Sequence, residues 1–213
     1  EVYCWGFNRF GQVGVGLAEG PASCGDSSDN CAIGPIKVQG ISGLTTVDVT
    51  AGREHSCLAT DAGELDCWGN NWSGQLGIGS TEPDACQDNS GAVVCALVPE
   101  GVAGVSDVVE VGAGALHTCV RTTGGNVYCF GNGDYGQTGQ KDAYTGSPVL
   151  VGGLDNITEI AAGDGYHSCA RTATGELLCW GWNGVGQLGV ETDDSCNLGS
   201  CSAVPVKVEV PAS

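Results

Sequence analysis

The sequence predicts an all-β fold, a β-propeller of four-stranded antiparallel blades, on three observations. First, the pattern Cys-aromatic-Gly, four further residues and Gly-Gln-x-Gly occurs four times, starting at Cys4, Cys67, Cys129 and Cys179. Second, glycine makes up 37 of 213 residues without a collagen-like period, which disfavours long helices. Third, short runs of alternating apolar residues are separated by glycine-containing turns, as in an antiparallel meander. A long repeat of such strands is typical of propeller blades.

Each repeat unit offers four strand candidates. The first follows a proline, as at Pro35, and the second alternates, as at Val47. The third begins at a histidine, as at His55, and the fourth runs into the Cys-aromatic-Gly pattern, as at Cys67. The units are expected at 1–34, 35–97, 98–146 and 147–203, followed by a terminal strand 204–213, all within one domain 1–213. This division gives three full blades plus terminal part-blades, so we expect part of a larger propeller.

The charge of the chain excludes two classes of partner. There are 25 acidic and 7 basic residues, which give a net charge of -18. Nucleic-acid binding and adhesion to anionic lipid both depend on Lys and Arg, so neither is expected. The sequence also has no apolar stretch long enough to insert into a membrane. A strongly acidic surface favours solubility and cationic partners.

The thirteen cysteines are expected to form disulfides, because such a number is unusual in a reducing cytosol. In three units a pair ten residues apart brackets a turn whose third residue is glycine, which places the two cysteines opposite each other on a hairpin. Three further pairs lie in the loops after Gly-Gln-x-Gly. The predicted pairs are Cys57–Cys67, Cys119–Cys129, Cys169–Cys179, Cys24–Cys31, Cys86–Cys95 and Cys196–Cys201, with Cys4 unpaired. The protein is therefore expected to be secreted, extracellular or at the cell surface.

The repeat resembles that of the regulator of chromosome condensation family. The resemblance rests on AGREHSCLATDAGELDCWGNNWSGQLGIG from Ala51, AGALHTCVRTTGGNVYCFGNGDYGQTG from Ala113 and AGDGYHSCARTATGELLCWGWNGVGQLG from Ala162. It implies a propeller of about seven blades and a role in interactions rather than chemistry. Some members promote nucleotide exchange on a small GTPase and touch chromatin, and bacterial members inhibit β-lactamases through an aromatic-rich face. The chain departs from the family in its added cysteine pairs and its small number of units.

Residues that recur at one repeat position are interpreted as structural. The histidines are expected to make a hydrogen bond inside each blade, the glutamine amides to satisfy backbone groups between blades, and the aromatic residues to anchor the blade cores. These sets are His55, His117 and His167; Gln12, Gln75, Gln137 and Gln187; and Trp5, Trp68, Phe130 and Trp180.

Residues that vary between units are better candidates for binding. Loops that follow equivalent strands leave the same face of a propeller, so aromatic residues just before Gly-Gln can share one surface. The predicted interaction surface consists of Phe7, Phe10, Trp72, Tyr135 and Trp182. Tyr and Trp in such a setting suit a binding hot spot. The alternative is that some of these side chains tuck between blades.

Two kinds of site have weaker support. Acidic side chains in the cysteine-bearing loops make Asp26, Asp29, Asp193 and Asp194 calcium candidates, but no loop has the spacing of a calcium-binding hand, and a solvated acidic loop is the alternative. Two sequons make Asn71 and Asn156 possible glycosylation sites. No catalytic motif or cofactor fingerprint is present, so the protein is expected to be no enzyme and to need no cofactor.

Two functions are consistent with the sequence. The first is a secreted, non-enzymatic propeller that binds a protein or glycan through its loop faces. The alternative is a structural subunit of an extracellular fibre or surface assembly, in which copies are joined by strand pairing and by an intermolecular disulfide at Cys4.

Overall fold

The structure is a computed structural model that describes residues 1–18, 22–23, 30–41, 43, 45–79, 86–88, 91–141 and 143–209. These residues form eighteen strands and no helix. The strands are β1 (Tyr3–Phe7), β2 (Ala22–Ser23), β3 (Asn30–Lys37), β4 (Thr46–Ala51), β5 (His55–Thr60), β6 (Leu65–Asn70), β7 (Cys86–Asp88), β8 (Gly91–Val93), β9 (Cys95–Gly101), β10 (Val108–Ala113), β11 (His117–Thr122), β12 (Val127–Gly131), β13 (Thr145–Leu150), β14 (Ile157–Gly163), β15 (His167–Thr172), β16 (Leu177–Trp182), β17 (Ser195–Cys196) and β18 (Gly199–Lys207). No helix within these ranges could cross a membrane.

Three four-stranded antiparallel sheets form the second, third and fourth blades. Their strand orders are β4-β5-β6-β9, β10-β11-β12-β13 and β14-β15-β16-β18, and β17 pairs with the outer strand of the fourth. A smaller sheet of order β1-β3-β2 precedes them and is called the part-blade. A separate ribbon of β7 and β8 lies in the loop that follows β6. The predicted all-β, four-stranded blade architecture is confirmed.

The grouping of strands into blades differs from the sequence-based expectation. The strand after the proline was expected to open a unit, yet it pairs with the preceding Cys-aromatic-Gly strand. In the second blade Cys67 lies opposite Glu100, and in the fourth Cys179 lies opposite Val206. The loop after Gly-Gln-x-Gly returns the chain to the outer edge of its own sheet, as antiparallel neighbours in sequence usually do. Thus β18 closes the fourth blade instead of starting another, and β1 has β3 as a partner.

The cysteines ten residues apart lie directly opposite each other on the second and third strands of each full blade. Cys57 pairs in register with Cys67, and the same register recurs in the third and fourth blades. The described disulfides are Cys57–Cys67, Cys119–Cys129, Cys169–Cys179, Cys86–Cys95 and Cys196–Cys201. Cys31 is also disulfide-bonded, while its predicted partner Cys24 lies outside the described residues. Cys4 is the free cysteine within the described ranges.

The anchors of the blade cores are Trp68, Phe130 and Trp180, all fully buried. The indole N–H groups of Trp68 and Trp180 donate to the backbone carbonyls of Gln12 and Gln137 in the preceding sheet, each at 2.9 Å. Trp5 occupies the same repeat position but is 65% exposed, so it does not act as a core anchor here. The reason is that no sheet within the described residues packs on that side of β1.

The repeated glutamine acts between blades through its main chain, not its amide. The Gln75 side chain stays within its own loop, where Oε1 accepts the Ser73 N–H at 2.8 Å. Its backbone carbonyl accepts the Thr118 hydroxyl of the third blade at 2.7 Å. Gln137 repeats both contacts, with the Tyr135 N–H at 2.9 Å and the Ser168 hydroxyl at 3.1 Å.

The repeated histidine joins neighbouring blades, which corrects the expectation of a bond within each blade. His55 Nε2 lies 2.9 Å from the hydroxyl of Thr118 in the third blade, and His117 Nε2 lies 2.9 Å from that of Ser168 in the fourth. The hydroxyl proton of Thr118 is already donated to Gln75, so this oxygen can only accept. His55 therefore carries its proton on Nε2, and its buried Nδ1 is a bare lone pair without a partner.

Candidate interaction face

Two sets of loops meet at one end of the blades. In an antiparallel sheet the loop between the first and second strands and the loop after the third strand leave from the same end. Backbone contacts join them, since Asn70 N–H donates to the Glu54 carbonyl and Trp182 N–H donates to the Tyr166 carbonyl, both at 2.9 Å. We call this end of the molecule the loop face.

A repeated Asn and Gln pair shapes the loop after each third strand. In the second blade Asn71 Oδ1 accepts the Leu76 N–H at 3.0 Å, and Gln75 folds over the intervening turn. Asn183 and Gln187 repeat this arrangement in the fourth blade. Because both side chains fold into the turn, a residue between them can point away from the sheet. Trp72, at 73% exposure, stands on the loop face in this way.

Three aromatic rings of the third and fourth blades form a contiguous group on the loop face. The Tyr135 ring centroid lies 5.1 Å from that of Tyr166 and 5.7 Å from that of Trp182. All three side chains are half-buried, so each keeps an accessible surface. We call Tyr135, Tyr166 and Trp182 the aromatic cluster. It contains two of the predicted interaction residues.

Tyr166 joins the cluster through a strained backbone. Its φ of 58° lies in the left-handed region, which is uncommon for a bulky side chain. The loop before it, Asp164-Gly165-Tyr166, is one residue longer than the equivalents that end at Glu54 and Leu116. Strain of this kind is often found at binding sites, where the surrounding structure holds it. This one-residue insertion is the feature of the sequence that could have indicated a special role for Tyr166. A comparison restricted to the repeated positions does not include it.

The remaining predicted aromatic residues are not all on the surface. Phe10 is buried against the Cys86–Cys95 disulfide, and its ring centroid lies 6.4 Å from that of Phe7. Phe10 therefore packs beneath the loop and is not part of a binding surface. Phe7 is partly exposed on β1, and Trp72 stands apart on the second blade. The alternative that some of these side chains pack inside is therefore correct for Phe10.

A carboxylate is held beside the aromatic cluster. Asp134 precedes Tyr135, and its Oδ2 accepts the Tyr144 hydroxyl at 2.6 Å and the Asn132 amide at 2.9 Å. Burial on its own would raise the pKa of Asp134, but these hydrogen bonds and one from Asn197 outweigh it and lower that pKa. Asp134 therefore carries a negative charge at neutral pH.

The calcium candidates do not form a described site. Asp194 accepts Lys141 Nζ at 2.7 Å, and its pKa is lowered first by that bond and then by the Ser195 N–H. Asp193 is exposed, while Asp26 and Asp29 lie outside the described residues. Over the described ranges no group of three or more His, Cys, Asp or Glu side chains could hold a metal ion.

The two sequons differ in accessibility. Asn71 is only 5% exposed, and its amide oxygen is bonded inside the turn, so the folded protein has no room there for a glycan. Asn156 is exposed at the opposite end of the blades, with a φ of 53° that Asn tolerates. Glycosylation at Asn156 stays a prediction.

Comparisons with known proteins identify the repeat of this chain. Segments 1–59, 62–121, 124–170 and 174–213 match the model of the Regulator of chromosome condensation (RCC1) repeat, and a second model of the same description matches 46–75, 108–137 and 157–187. The chain is 34% identical over 144 residues to the ultraviolet-B receptor UVR8 of Arabidopsis thaliana, covering 67% of this chain and 28% of that protein. It is 32% identical over 168 residues to human HERC4, a probable E3 ubiquitin-protein ligase, covering 76% of this chain and 14% of HERC4.

Solved structures show the same fold. The crystal structure of human WBSCR16 matches with a TM-score of 0.74 and 21% identity, over 97% of this chain and 52% of that one. Prp20p of Saccharomyces cerevisiae matches with a TM-score of 0.71 and 24% identity, over 98% of this chain and 46% of that one. The chain thus spans about half the length of these structures and a smaller share of the sequence relatives.

Proposed function

Because the chain belongs to the regulator of chromosome condensation repeat family, we propose that it is a secreted, non-enzymatic module that binds another protein through the loop face. The observation that carries this proposal is the aromatic cluster, which spans two blades and remains accessible. Tyr and Trp dominate binding hot spots because they bury large areas with few rotatable bonds. Prp20p of Saccharomyces cerevisiae, which shares this fold, has binding properties towards Gsp1p and histones, and this is consistent with protein binding by such a propeller.

The charge distribution supports a cationic partner. The chain has a net charge of -18, and the ionised Asp134 lies next to the Tyr135 ring. A Lys or Arg side chain gains from contact with aromatic faces and from a nearby carboxylate. A secreted location is supported by the disulfides in all three full blades.

The proposal is tested with a short arginine-rich peptide, whose binding is followed by tryptophan fluorescence. Removal of a hot-spot aromatic residue by Tyr135→Ala or Trp182→Leu should weaken binding at least about tenfold. Leu150→Ala, an exposed change on the outer strand of the third blade, should leave the affinity unchanged. Equal affinities of all variants would refute binding at the loop face. Tighter binding of a neutral chito-oligosaccharide than of the peptide would instead identify a glycan-binding module.

One observation favours the structural alternative. Within the described residues β1 pairs only with β3, so its other edge could accept a strand from a second copy. Sedimentation of the purified protein under non-reducing conditions separates the two functions. A monomer at micromolar concentration supports the binding module, whereas a series of covalent or strand-paired oligomers supports the assembly subunit.

A further inference from the structure

A polar cavity lies at the end of the third blade opposite to the loop face. It is bounded by the segment that enters this blade from the second blade and by the turn between β11 and β12. Its volume of about 530 Å³ falls within the range of about 300–1,000 Å³ that is usual for small-ligand sites. The polar lining consists of Ser106, Asp107, Thr122, Thr123 and Asn126, and Tyr128 provides an aromatic wall.

Asp107 is held in the cavity wall by the hairpins of two blades. Its φ of 58° lies in the left-handed region, which is uncommon for a residue other than glycine. The Asp107 carbonyl accepts the Thr123 N–H at 2.9 Å. On the other side the turn of the second blade comes so close that a Cβ at Gly63 would lie 2.7 Å from the Asp107 Cα. The backbone that carries this carboxylate is therefore fixed before any ligand binds.

Polar side chains in the cavity have hydrogen-bonding capacity that the protein does not use. Thr122 is only 7% exposed, and its hydroxyl lies 3.5 Å from the Asn126 carbonyl, which is longer than a good O–H···O hydrogen bond. In the described part of the chain no protein group bonds the side chains of Thr123, Asn126 or Tyr128. A hydroxyl, an amide and a carboxylate therefore meet at one cavity with both donors and acceptors available.

The fourth blade shows that the repeat does not require such a cavity. There the equivalent of Thr122 is Thr172, whose hydroxyl accepts the Glu176 N–H at 3.0 Å and lies 2.9 Å from the Thr174 hydroxyl. Thr174 occupies the position of Gly124 in the third blade. The polar groups of the fourth blade thus bond each other, whereas a glycine leaves those of the third blade to a ligand.

The surroundings exclude several classes of ligand. The Asp107 carboxylate and the net charge of -18 disfavour anions. An added peptide strand needs unpaired backbone groups, yet the N–H groups of Thr122, Thr123 and Gly125 already donate to backbone carbonyls. A neutral ligand with many hydroxyl groups meets neither obstacle, because each of its hydroxyls can both donate and accept.

We propose that this cavity binds a neutral saccharide through a single sugar ring. Neighbouring hydroxyls of the sugar would bond the Asp107 carboxylate, the Asn126 amide and the Thr122 hydroxyl. The C–H face of the ring would pack on Tyr128, where the fourth blade has Leu178. The site is separate from the loop face and does not rest on protein binding there.

Titration of the nitrogen-15-labelled chain with methyl glycosides of glucose, galactose and mannose tests the proposal by NMR. At least one glycoside should bind with a Kd on the order of 1 mM, as expected for a small polar ligand in an open cavity. The shifted amides should be those of residues 104–107 and 122–128. A methyl glucuronide should bind at least about tenfold more weakly because of its charge. Failure of all three neutral glycosides to bind, shifts confined to the loop face, or equal affinity for the glucuronide would overturn the proposal.

An exchange with the fourth blade closes the cavity without disturbing the fold. Gly124→Thr introduces the side chain that Thr174 has there. A Cβ at Gly124 would lie 3.7 Å from Asn126 Nδ2 and 3.9 Å from Thr122 Oγ1, which are ordinary contacts. The variant should keep its thermal unfolding midpoint and lose at least about tenfold in affinity for the sugar, because the side chain occupies the ligand's space. Unchanged affinity in the folded variant would overturn the proposal.

A matched pair of alanine variants separates hydrogen bonding in the cavity from general effects on a turn. Asn126→Ala should weaken binding by at least about tenfold, since sugar hydroxyls would lose their amide partner. Glu176→Ala, at the same position of the fourth blade, should retain the affinity. Equal effects of the two changes would mean that the sugar is not held by this cavity.

Discussion

At the scale of single residues, the interfaces between blades depend on histidines that must stay neutral. Burial lowers the pKa of His55 to about 4, and burial together with the neighbouring histidines lowers that of His117 to about 3. A proton added at Nδ1 would have no partner, since that atom is buried and unpaired. In the unfolded chain both histidines should titrate near pH 6.5.

The free energy of unfolding should therefore fall as the pH drops below about 6.5, because the unfolded chain binds protons that the folded chain does not. The loss should continue to about pH 4 for His55, with a slope of up to about 1.4 kcal/mol per pH unit per histidine. Urea titrations at several pH values measure this slope. His117→Gln should reduce it by about half, and an unchanged slope would mean that His117 is not a buried neutral group.

Single residues also mark where sequence reasoning stopped. The aromatic positions before Gly-Gln pointed to Tyr135 and Trp182, because residues that vary within a repeat are free of its structural role. The same argument placed Phe10 on the surface. That prediction was wrong because a disulfide in a loop distant in sequence packs against the Phe10 ring, and the repeat pattern contains no information about this contact. Tyr166 was missed because its contribution depends on a left-handed backbone, which a repeat pattern does not encode.

At the scale of strands and loops, the hairpins could be predicted and the outer strands could not. Two cysteines separated by ten residues, with a glycine turn midway, have only one register in which they face each other. The sheet that an outer strand joins depends instead on where a long loop returns the chain. Neither the proline nor the alternation of apolar residues in that strand indicates which sheet it joins.

The loop after each third strand also packs against the next blade, and one glycine pair can measure this contact. A Cβ at Gly77, where φ is +70°, would lie 2.7 Å from the Phe130 ring. At Gly79, where φ is +74°, it would meet nothing within 4 Å. Gly79→Ala should cost about 1 kcal/mol for the backbone alone, and Gly77→Ala about 1–3 kcal/mol more for overpacking. Chemical denaturation of both variants checks this, and equal losses would rule out a tight contact at Gly77.

Each cross-strand disulfide should stabilise the fold by closing a short loop and so lowering the conformational entropy of the unfolded chain. Removing the bond in Cys119→Ala/Cys129→Ala should lower the free energy of unfolding by about 2–3 kcal/mol. Thermal unfolding under non-reducing conditions measures the change. No loss in the double variant would show that the native sheet, not the cross-link, sets the hairpin.

At the scale of the whole molecule, the extensive contacts between full blades in the described part of the chain join adjacent blades, as in other repeat proteins. Stability should therefore decline towards a sheet that has one neighbour. We expect the amides of β1 to exchange at least about tenfold faster than those of β6, which has a paired strand on either side. Hydrogen exchange resolved by residue measures this gradient, and uniform protection would show that the molecule opens as one unit.

The bond from histidine to hydroxyl runs in the same direction at both complete interfaces, from one blade to the one that follows, and the hydroxyl in turn donates back to a glutamine carbonyl of the earlier blade. Every middle blade consequently presents a histidine N–H and a glutamine carbonyl to the blade that follows, and a hydroxyl to the blade before it. A duplicated middle blade would find the same hydrogen-bonding groups on both of its sides. Duplication of a whole blade would therefore lengthen the protein without requiring a new type of contact between blades. A blade inserted in the opposite orientation would place its hydroxyl against the hydroxyl of its neighbour, where a histidine should lie. The interfaces are therefore compatible with repetition of a blade but not with its inversion.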